Sequence, residues 1–123
     1  MGGIYAYARP AYHQSSSEEA VSMSGQRIYT VAQVKHAFAS HGLLINSVTR
    51  NGDARTGTTI LDERHGRIAP AWTVSLFGPD GTVYFSKNMQ GYIARFGNLM
   101  AFYGGKDPAL LTRIRAAVAD LQQ

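Results

Sequence analysis

The chain has 123 residues, of which 45% are hydrophobic and 16% charged, and its formal net charge is +4. This length and composition predict a single globular domain that is large enough to bury a core. Cysteine is absent, which excludes disulfides, thiolate chemistry and cysteine-based zinc sites. No apolar run reaches the about 18 residues of a membrane-spanning helix, and the excess of basic residues favours anionic partners only weakly.

Residues 1–26 are rich in glycine, serine and tyrosine and show neither a strand period nor a helix period. This composition predicts a flexible N-terminal tail or linker over residues 1–26, followed by a single domain over residues 27–123. The tail lacks the succession of basic and apolar residues that forms a signal peptide. The expected location is therefore extracytoplasmic if an export signal was trimmed, and cytoplasmic otherwise.

The first helix is predicted from its capping signals. Thr30 and Gln33 have the spacing of a capping box, in which the Thr30 hydroxyl accepts from the Gln33 amide and the Gln33 side chain reaches back. Apolar residues follow at helical spacing, and Gly42 can adopt the left-handed backbone that stops a helix. We therefore predict a helix over residues 31–41. An apolar run then predicts a strand over residues 43–48, and one weak strand is predicted over residues 58–61 between loops.

The strongest strand signal is the segment 71–87, in which two β-type runs flank Gly-Pro-Asp-Gly, a sequence typical of a type I turn. We predict a β-hairpin here. A register that pairs Phe77 with Thr82 gives one apolar face, whereas a one-residue bulge would pair Phe77 with Val83 and mix the faces. In the first register, which we prefer, the polar face carries Thr73, Ser75, Tyr84 and Ser86.

The C-terminal third predicts a strand followed by a helix. Residues 88–97 are expected to form a connection with one helical turn, and residues 98–103, which are apolar on both faces, an interior strand. Asp107 and Pro108 then have the order of an N-cap followed by a proline in the first turn, which predicts the second helix. Ile114 lies at the centre of its buried stripe, and Arg113 faces solvent.

Two short polar motifs carry weak functional signals. Gly104-Gly105-Lys106 precedes the second helix like the end of a phosphate-binding loop, but Met100 stands where that motif needs its first glycine. The segment from Asp62 to His65 combines two carboxylates, a guanidinium and an imidazole. We interpret it as a solvated loop with local ion pairs, with acid–base or metal chemistry as the alternative. We predict no catalytic residue, no metal site and no cofactor.

Basic residues alternate with aromatic residues in the second half of the chain, as in proteins that stack nucleic-acid bases. The candidate residues for an anion or nucleic-acid site are Lys87, Arg95, Lys106, Arg113 and Arg115. The specific RNA-recognition signature is missing, because the segment 90–96 has its initial glycine and aromatic residue but not the later aromatic positions. Most of the aromatic residues are therefore expected in the core.

Two segments, 29–45 (YTVAQVKHAFASHGLLI) and 97–121 (GNLMAFYGGKDPALLTRIRAAVADL), resemble a group of small uncharacterised α+β proteins from high-GC Gram-positive bacteria. In that group a capped helix ends at a glycine, a sheet follows, and the last strand leads into a helix rich in arginine and alanine. The resemblance implies an architecture and carries no active site. Members are often exported or lipid-anchored, which would make residues 1–26 a stalk.

These patterns together predict an α+β domain in which an antiparallel sheet of four to five strands has two helices packed on one face, in the order α-β-β-β-β-α. The leading functional hypothesis is a non-catalytic binding or assembly module whose partner is an unknown protein or a second copy of itself. Its predicted contact surface is the open sheet face, which carries Thr73, Ser75, Tyr84 and Tyr103. The alternatives are a basic nucleic-acid-binding domain and a small hydrolase or metal enzyme.

Overall fold

The structure is a computed structural model that describes residues 6–9 and 17–123 of the chain. Residues 17–123 contain two helices and seven strands, and residues 6–9 add a further strand. In chain order the elements are β1 (Ala6–Arg9), β2 (Glu18–Ser22), α1 (Val31–Ala39), β3 (Ser47–Asn51), β4 (Thr58–Asp62), β5 (Trp72–Phe77), β6 (Thr82–Ser86), β7 (Tyr92–Phe96), β8 (Leu99–Tyr103) and α2 (Pro108–Gln122).

The main sheet has five strands in the order β3-β4-β5-β8-β7, and every neighbouring pair is antiparallel. The two helices contact each other, and both contribute to the apolar core on one face of this sheet. The predicted α+β class, the five-stranded antiparallel sheet and the position of the helices are confirmed. The order of the elements differs from the prediction, because two strands precede α1 and six strands separate the helices.

The core between the helices and the main sheet follows from the periods of the two kinds of element. Trp72, Val74 and Leu76 alternate along β5 and therefore lie on one face, where they join the helix-side core. Phe38 of α1 packs against Trp72 with 5.1 Å between the ring centroids. Ile114 of α2 is 1% exposed in the same core, so the predicted buried stripe of this helix is confirmed.

Both helices begin where their capping signals predict. The Gln33 amide donates to the Thr30 hydroxyl over 3.2 Å, and the Thr30 amide donates to Gln33 Oε1 over 2.9 Å. Asp107 caps α2 by accepting from two amides of its first turn. The first helix ends at Ala39 rather than at residue 41, because the chain already turns over residues 40–42.

A second, smaller antiparallel sheet packs against the other face of the main sheet. β2 pairs with one side of β6, and β1 pairs with its other side. The apolar side chains that fill the space between the two sheets are Met23, Phe77, Val83, Phe85 and Met100. β5 and β6 thus belong to different sheets. The hairpin predicted over residues 71–87 is wrong in either register, although both of its strands exist.

The Gly-Pro-Asp-Gly segment forms a corner between the two sheets instead of a hairpin turn. The Gly78 amide donates to the Gly57 carbonyl, and the Asp80 amide donates to the Arg55 carbonyl, both in the loop between β3 and β4. A Cβ at Gly78 would overlap the Arg55 carbonyl, so this close approach requires glycine. Because β5 already pairs with β4 and β8, it has no free edge for β6, and a local turn signal cannot reveal this.

Two strands lie within the predicted N-terminal tail, because Ala6–Arg9 form β1 and Glu18–Ser22 form β2, and both pair with β6. Glu19 and Val21 lie opposite Phe85 and Val83 of the apolar face of β6. Only one of these two inward positions of β2 is apolar, so the strand has no clear alternating pattern in the sequence. Residues 1–5 and 10–16 lie outside the described residues, and the tail predicted there stays a prediction.

Two other boundaries differ from the sequence-based expectation. β3 begins at Ser47 and not at Leu43, because the Leu43 amide bonds back to the Phe38 carbonyl and closes the end of α1. The connection predicted over residues 88–97 contains β7 instead of a helical turn. Its apolar residues face both cores, so β7 shows no strand period in the sequence. The strands predicted near residues 58–61 and 98–103 are confirmed as β4 and β8.

Candidate functional site

The residues predicted to form an open sheet face do not form one. Thr73 and Ser75 lie on the face of β5 that points away from the helices, yet they are only 8% and 0% exposed. Tyr84 lies in the second sheet and is buried, and Tyr103 is buried in the helix-side core. The physical reason is the corner at residues 78–81, which sends β6 into the second sheet.

The five basic candidates lie on both sides of the molecule. Arg95 is on the face of β7 that points away from the helices, since it pairs with Met100 of the core between the sheets. Arg113 and Arg115 are on α2, across the main sheet, and their separation by two positions puts them on different sides of that helix. The other two candidates, exposed in loops, are Lys87 and Lys106. These five residues therefore do not share one basic surface.

The segment from Asp62 to His65 does not bring the Asp62 carboxylate and the His65 imidazole together. Asp62 is 1% exposed, and its carboxylate accepts from the Arg64 amide over 2.8 Å and from the Arg64 guanidinium over 3.3 Å. His65 instead lies beside Asn46, with 3.5 Å between Nε2 and Nδ2. Within residues 6–9 and 17–123, no three His, Cys, Asp or Glu side chains are grouped so that they could hold a metal ion.

The two edges of the main sheet differ in their exposure. At one edge, four of the five β7 residues are half-buried. Glu19 of the second sheet contacts Arg95 of β7 at 2.7 Å, and the Arg115 guanidinium lies 5.1 Å from the centroid of the Tyr92 ring. At the other edge, four of the five β3 residues are exposed, and β3 pairs only with β4 among the described strands. A free edge of this kind presents backbone amides and carbonyls that can pair with another strand.

The composition of β3 offers little protection against such pairing. Edge strands are commonly blocked by proline or by lysine, and β3 contains neither, with Arg50 as its only charged residue. Four large hydrophobic side chains are exposed among the described residues. Val48 at 40% lies in β3, Leu44 at 64% lies three residues before it, and Ile28 at 44% lines the same cleft as Arg50. We define the β3 edge as the outer side of Ser47–Asn51, and we take it as the candidate site.

A cleft of about 580 Å³ opens beside the β3 edge. Its walls are the first turn of α1 and residues 50–54, and it is also lined by Thr59, Leu76 and Asn98. Because Leu76 belongs to the helix-side core, the cleft opens on the helix side of the main sheet. We refer to it as the Arg50 cleft.

Asn98 fixes the wall of the Arg50 cleft. It is 3% exposed, and its Oδ1 accepts from the Tyr29 amide over 2.7 Å. Its Nδ2 donates to the carbonyls of Phe77 and Tyr29 over 2.8 and 3.3 Å. One side chain thus joins the segment before α1 to the end of β5 and to the start of β8. The sequence does not predict this role of Asn98, because a single polar residue before an apolar strand does not reveal bonds to two distant residues.

The two charged residues that line the Arg50 cleft differ in their contacts. Asp53 accepts from the amides of Thr56 and Arg55 over 2.9 and 2.8 Å, and these hydrogen bonds hold the pKa of its carboxyl below the ordinary value of 3.8. Arg50 is exposed and has no hydrogen-bond or ion-pair partner in the described part of the chain. The charge that lacks a partner in this cleft is therefore positive.

Comparisons of the chain with protein-family models, curated proteins and solved structures find no significant match. In the part of the chain that the structure describes, no helix is both long enough and apolar enough to cross a membrane. The β3 edge and the Arg50 cleft are therefore identified by geometry and chemistry alone. Sequence reasoning missed the edge because the exposure of a strand depends on the order of strands in the sheet. The predicted hairpin implied a wrong order, since β5 and β6 belong to different sheets.

Proposed function

We propose that this chain is a binding module that takes up an extended segment of a partner protein as an additional strand on the β3 edge. The observation that carries the proposal is the contrast between the two edges of the main sheet. Side chains of α2 and β2 contact Tyr92 and Arg95 of β7, and four of the five β7 residues are half-buried, whereas four of the five β3 residues are exposed. Strand addition would satisfy the free backbone groups of β3, and alternate side chains of the added strand would give specificity.

An extended segment of another protein fits this edge better than a second copy of the chain. Antiparallel pairing of two β3 strands about Thr49 would place the two Arg50 residues on a diagonal, about 7–8 Å apart. Each copy also carries a net charge of +4, so this pairing would bring like charges together. A segment from a different protein is free of this constraint.

The alternatives of nucleic-acid binding and of hydrolysis have less support. The basic candidates lie on both sides of the main sheet, although binding to a phosphate backbone needs them clustered on one face. Acid–base chemistry would need the imidazole of His65 near a carboxylate, and the side chain next to it is the Asn46 amide. We therefore place the binding function at the β3 edge.

The proposal is tested by selecting short random peptides on the immobilised 123-residue chain and measuring hydrogen exchange in the resulting complexes. We expect bound peptides to slow the exchange of amides in Ser47–Asn51, because strand addition gives these amides or their neighbours new acceptors. Exchange in β7 should stay unchanged and is the internal control. Methylation of single backbone nitrogens along a bound peptide should abolish binding at every second position, since only alternate amides of an added strand face β3.

Three results would overturn the proposal. The first is a selection that yields no binding peptide. The second is binding that leaves the exchange of the β3 amides unchanged, or a methylation scan without alternation. The third is a dimer of the free chain, detected by sedimentation, in which the same amides are already protected, because the occupant would then be a second copy.

A further inference from the structure

Two side chains of β3 point to the helix side of the main sheet. Val48 pairs with Leu61 of β4, which is buried in the helix-side core, and Arg50 pairs with Thr59 on the same face. Thr49 between them points to the other face. A strand added to the β3 edge would therefore place one side chain beside Val48 and another beside Arg50. These two side chains of the partner would be two residues apart in its sequence.

The surroundings of Val48 and Arg50 require different chemistry from the partner. Val48 is 40% exposed, so an aliphatic neighbour would remove apolar surface from water. Arg50 presents a guanidinium without a partner in the described part of the chain, and a guanidinium matches the two oxygens of a carboxylate. The Asp53 carboxylate is occupied by hydrogen bonds within its own loop, and the first turn of α1 has no acidic side chain. The Asp53 carboxylate that lines the cleft therefore pairs within its own loop and forms no ion pair with Arg50.

We infer that the partner segment carries an acidic residue that contacts Arg50 in the cleft and, two positions away, an aliphatic residue that packs on Val48. This inference rests on the proposed strand addition and adds the chemistry of the partner. In an antiparallel partner the acidic residue comes first in the sequence, and in a parallel partner the aliphatic residue comes first. The order of the two residues in bound peptides thus reports the direction of the added strand.

The test repeats the peptide selection on three forms of the chain: the natural chain, Arg50→Glu and Arg67→Glu. Arg67 is an exposed arginine outside the cleft and serves as the matched control. The natural chain should enrich Asp or Glu two positions from Val, Ile or Leu. Arg50→Glu should change the acidic position to Lys or Arg while the aliphatic position persists, and Arg67→Glu should leave the motif as it was. Circular dichroism is used to check that both variants are folded.

A second measurement uses one peptide selected on the natural chain. Replacing its acidic residue by the corresponding amide should weaken binding to the natural chain about tenfold, and should have little effect on the binding to Arg50→Glu. The inference is overturned if selected peptides protect the β3 amides without any acidic enrichment, or if Arg50→Glu leaves the motif unchanged. Failure of the strand-addition proposal is a different result, since the β3 amides would then show no protection with any peptide.

Discussion

Asn98 joins three segments through one buried side-chain amide, and we expect its removal to destabilise the whole domain. Asn98→Ala should lower the free energy of unfolding by about 2–4 kcal/mol, because the Tyr29 amide and the Phe77 carbonyl would be left buried without this partner. Chemical denaturation measures the change. Asn88→Ala is the matched control, since Asn88 is exposed and should change stability by no more than about 0.5 kcal/mol. Equal effects of the two substitutions would contradict the role given to Asn98.

Tyr92 should make the fold sensitive to alkaline pH. Burial raises the pKa of its phenol above the ordinary value of 10.0, and the nearby Arg115 guanidinium opposes this shift only in part. The unfolded chain therefore loses this proton at a lower pH than the folded chain, so stability falls as the pH rises from about 10 towards the folded pKa. Below that range the phenol is neutral in both states and contributes no pH dependence.

The substitution Tyr92→Phe isolates this contribution, because it removes the ionisable hydroxyl and keeps the ring beneath Arg115. Denaturation at several alkaline pH values should show a shallower loss of stability for Tyr92→Phe than for the natural chain. Parallel curves for the two proteins would show that the phenol has the same pKa in the folded and unfolded states.

At the scale of elements, signals within a few residues of each other predicted the structure better than signals that depend on distant pairing. The capping residues Thr30 and Asp107 placed both helix starts, because a cap is satisfied by amides two or three residues away. The corner at residues 78–81 was misinterpreted, because its amides bond to a loop more than twenty residues earlier. The β3 edge could not be predicted for the same reason, since the order of strands decides which strand has a partner on one side only.

The orientation of α2 gives a second stability prediction. Ile114→Ala should lower the free energy of unfolding by about 2–5 kcal/mol, because Ile114 is 1% exposed and its truncation leaves a cavity in the helix-side core. Arg113→Ala on the neighbouring exposed position should change it by no more than about 0.5 kcal/mol. Urea denaturation compares the two variants, and a larger effect for Arg113→Ala would mean that α2 buries a different face.

At the scale of the whole molecule, the two cores share the main sheet between them. Phe77 lies on the face of β5 that points away from the helices, and its ring packs edge-on against Phe85 of the second sheet, with centroids 5.6 Å apart. Leu76 next to it belongs to the helix-side core. One strand therefore contributes to both cores, and we expect the two sheets to unfold in a single transition.

Phe85→Ala tests this coupling through Trp72, the chain's one tryptophan, which lies in the helix-side core. The substitution should lower the free energy of unfolding by about 3–5 kcal/mol, and the fluorescence of Trp72 should report the full decrease although Phe85 lies across the sheet. Ile68→Ala, at a position 70% exposed, is the control and should leave the midpoint almost unchanged. An unchanged Trp72 midpoint in Phe85→Ala would mean that the second sheet unfolds separately.

The pairing of β2 with β6 also determines the order in which the two sheets can form while the chain is being synthesised. β2 leaves the ribosome about sixty residues before β6, whereas β3, β4 and β5 follow one another closely and can pair as they emerge. Until β6 is made, the backbone groups of β2 can bond only to water, and the apolar residue Met23 that follows it has no core to enter. The second sheet therefore closes only after translation has passed Ser86, although two of its strands lie at the beginning of the chain.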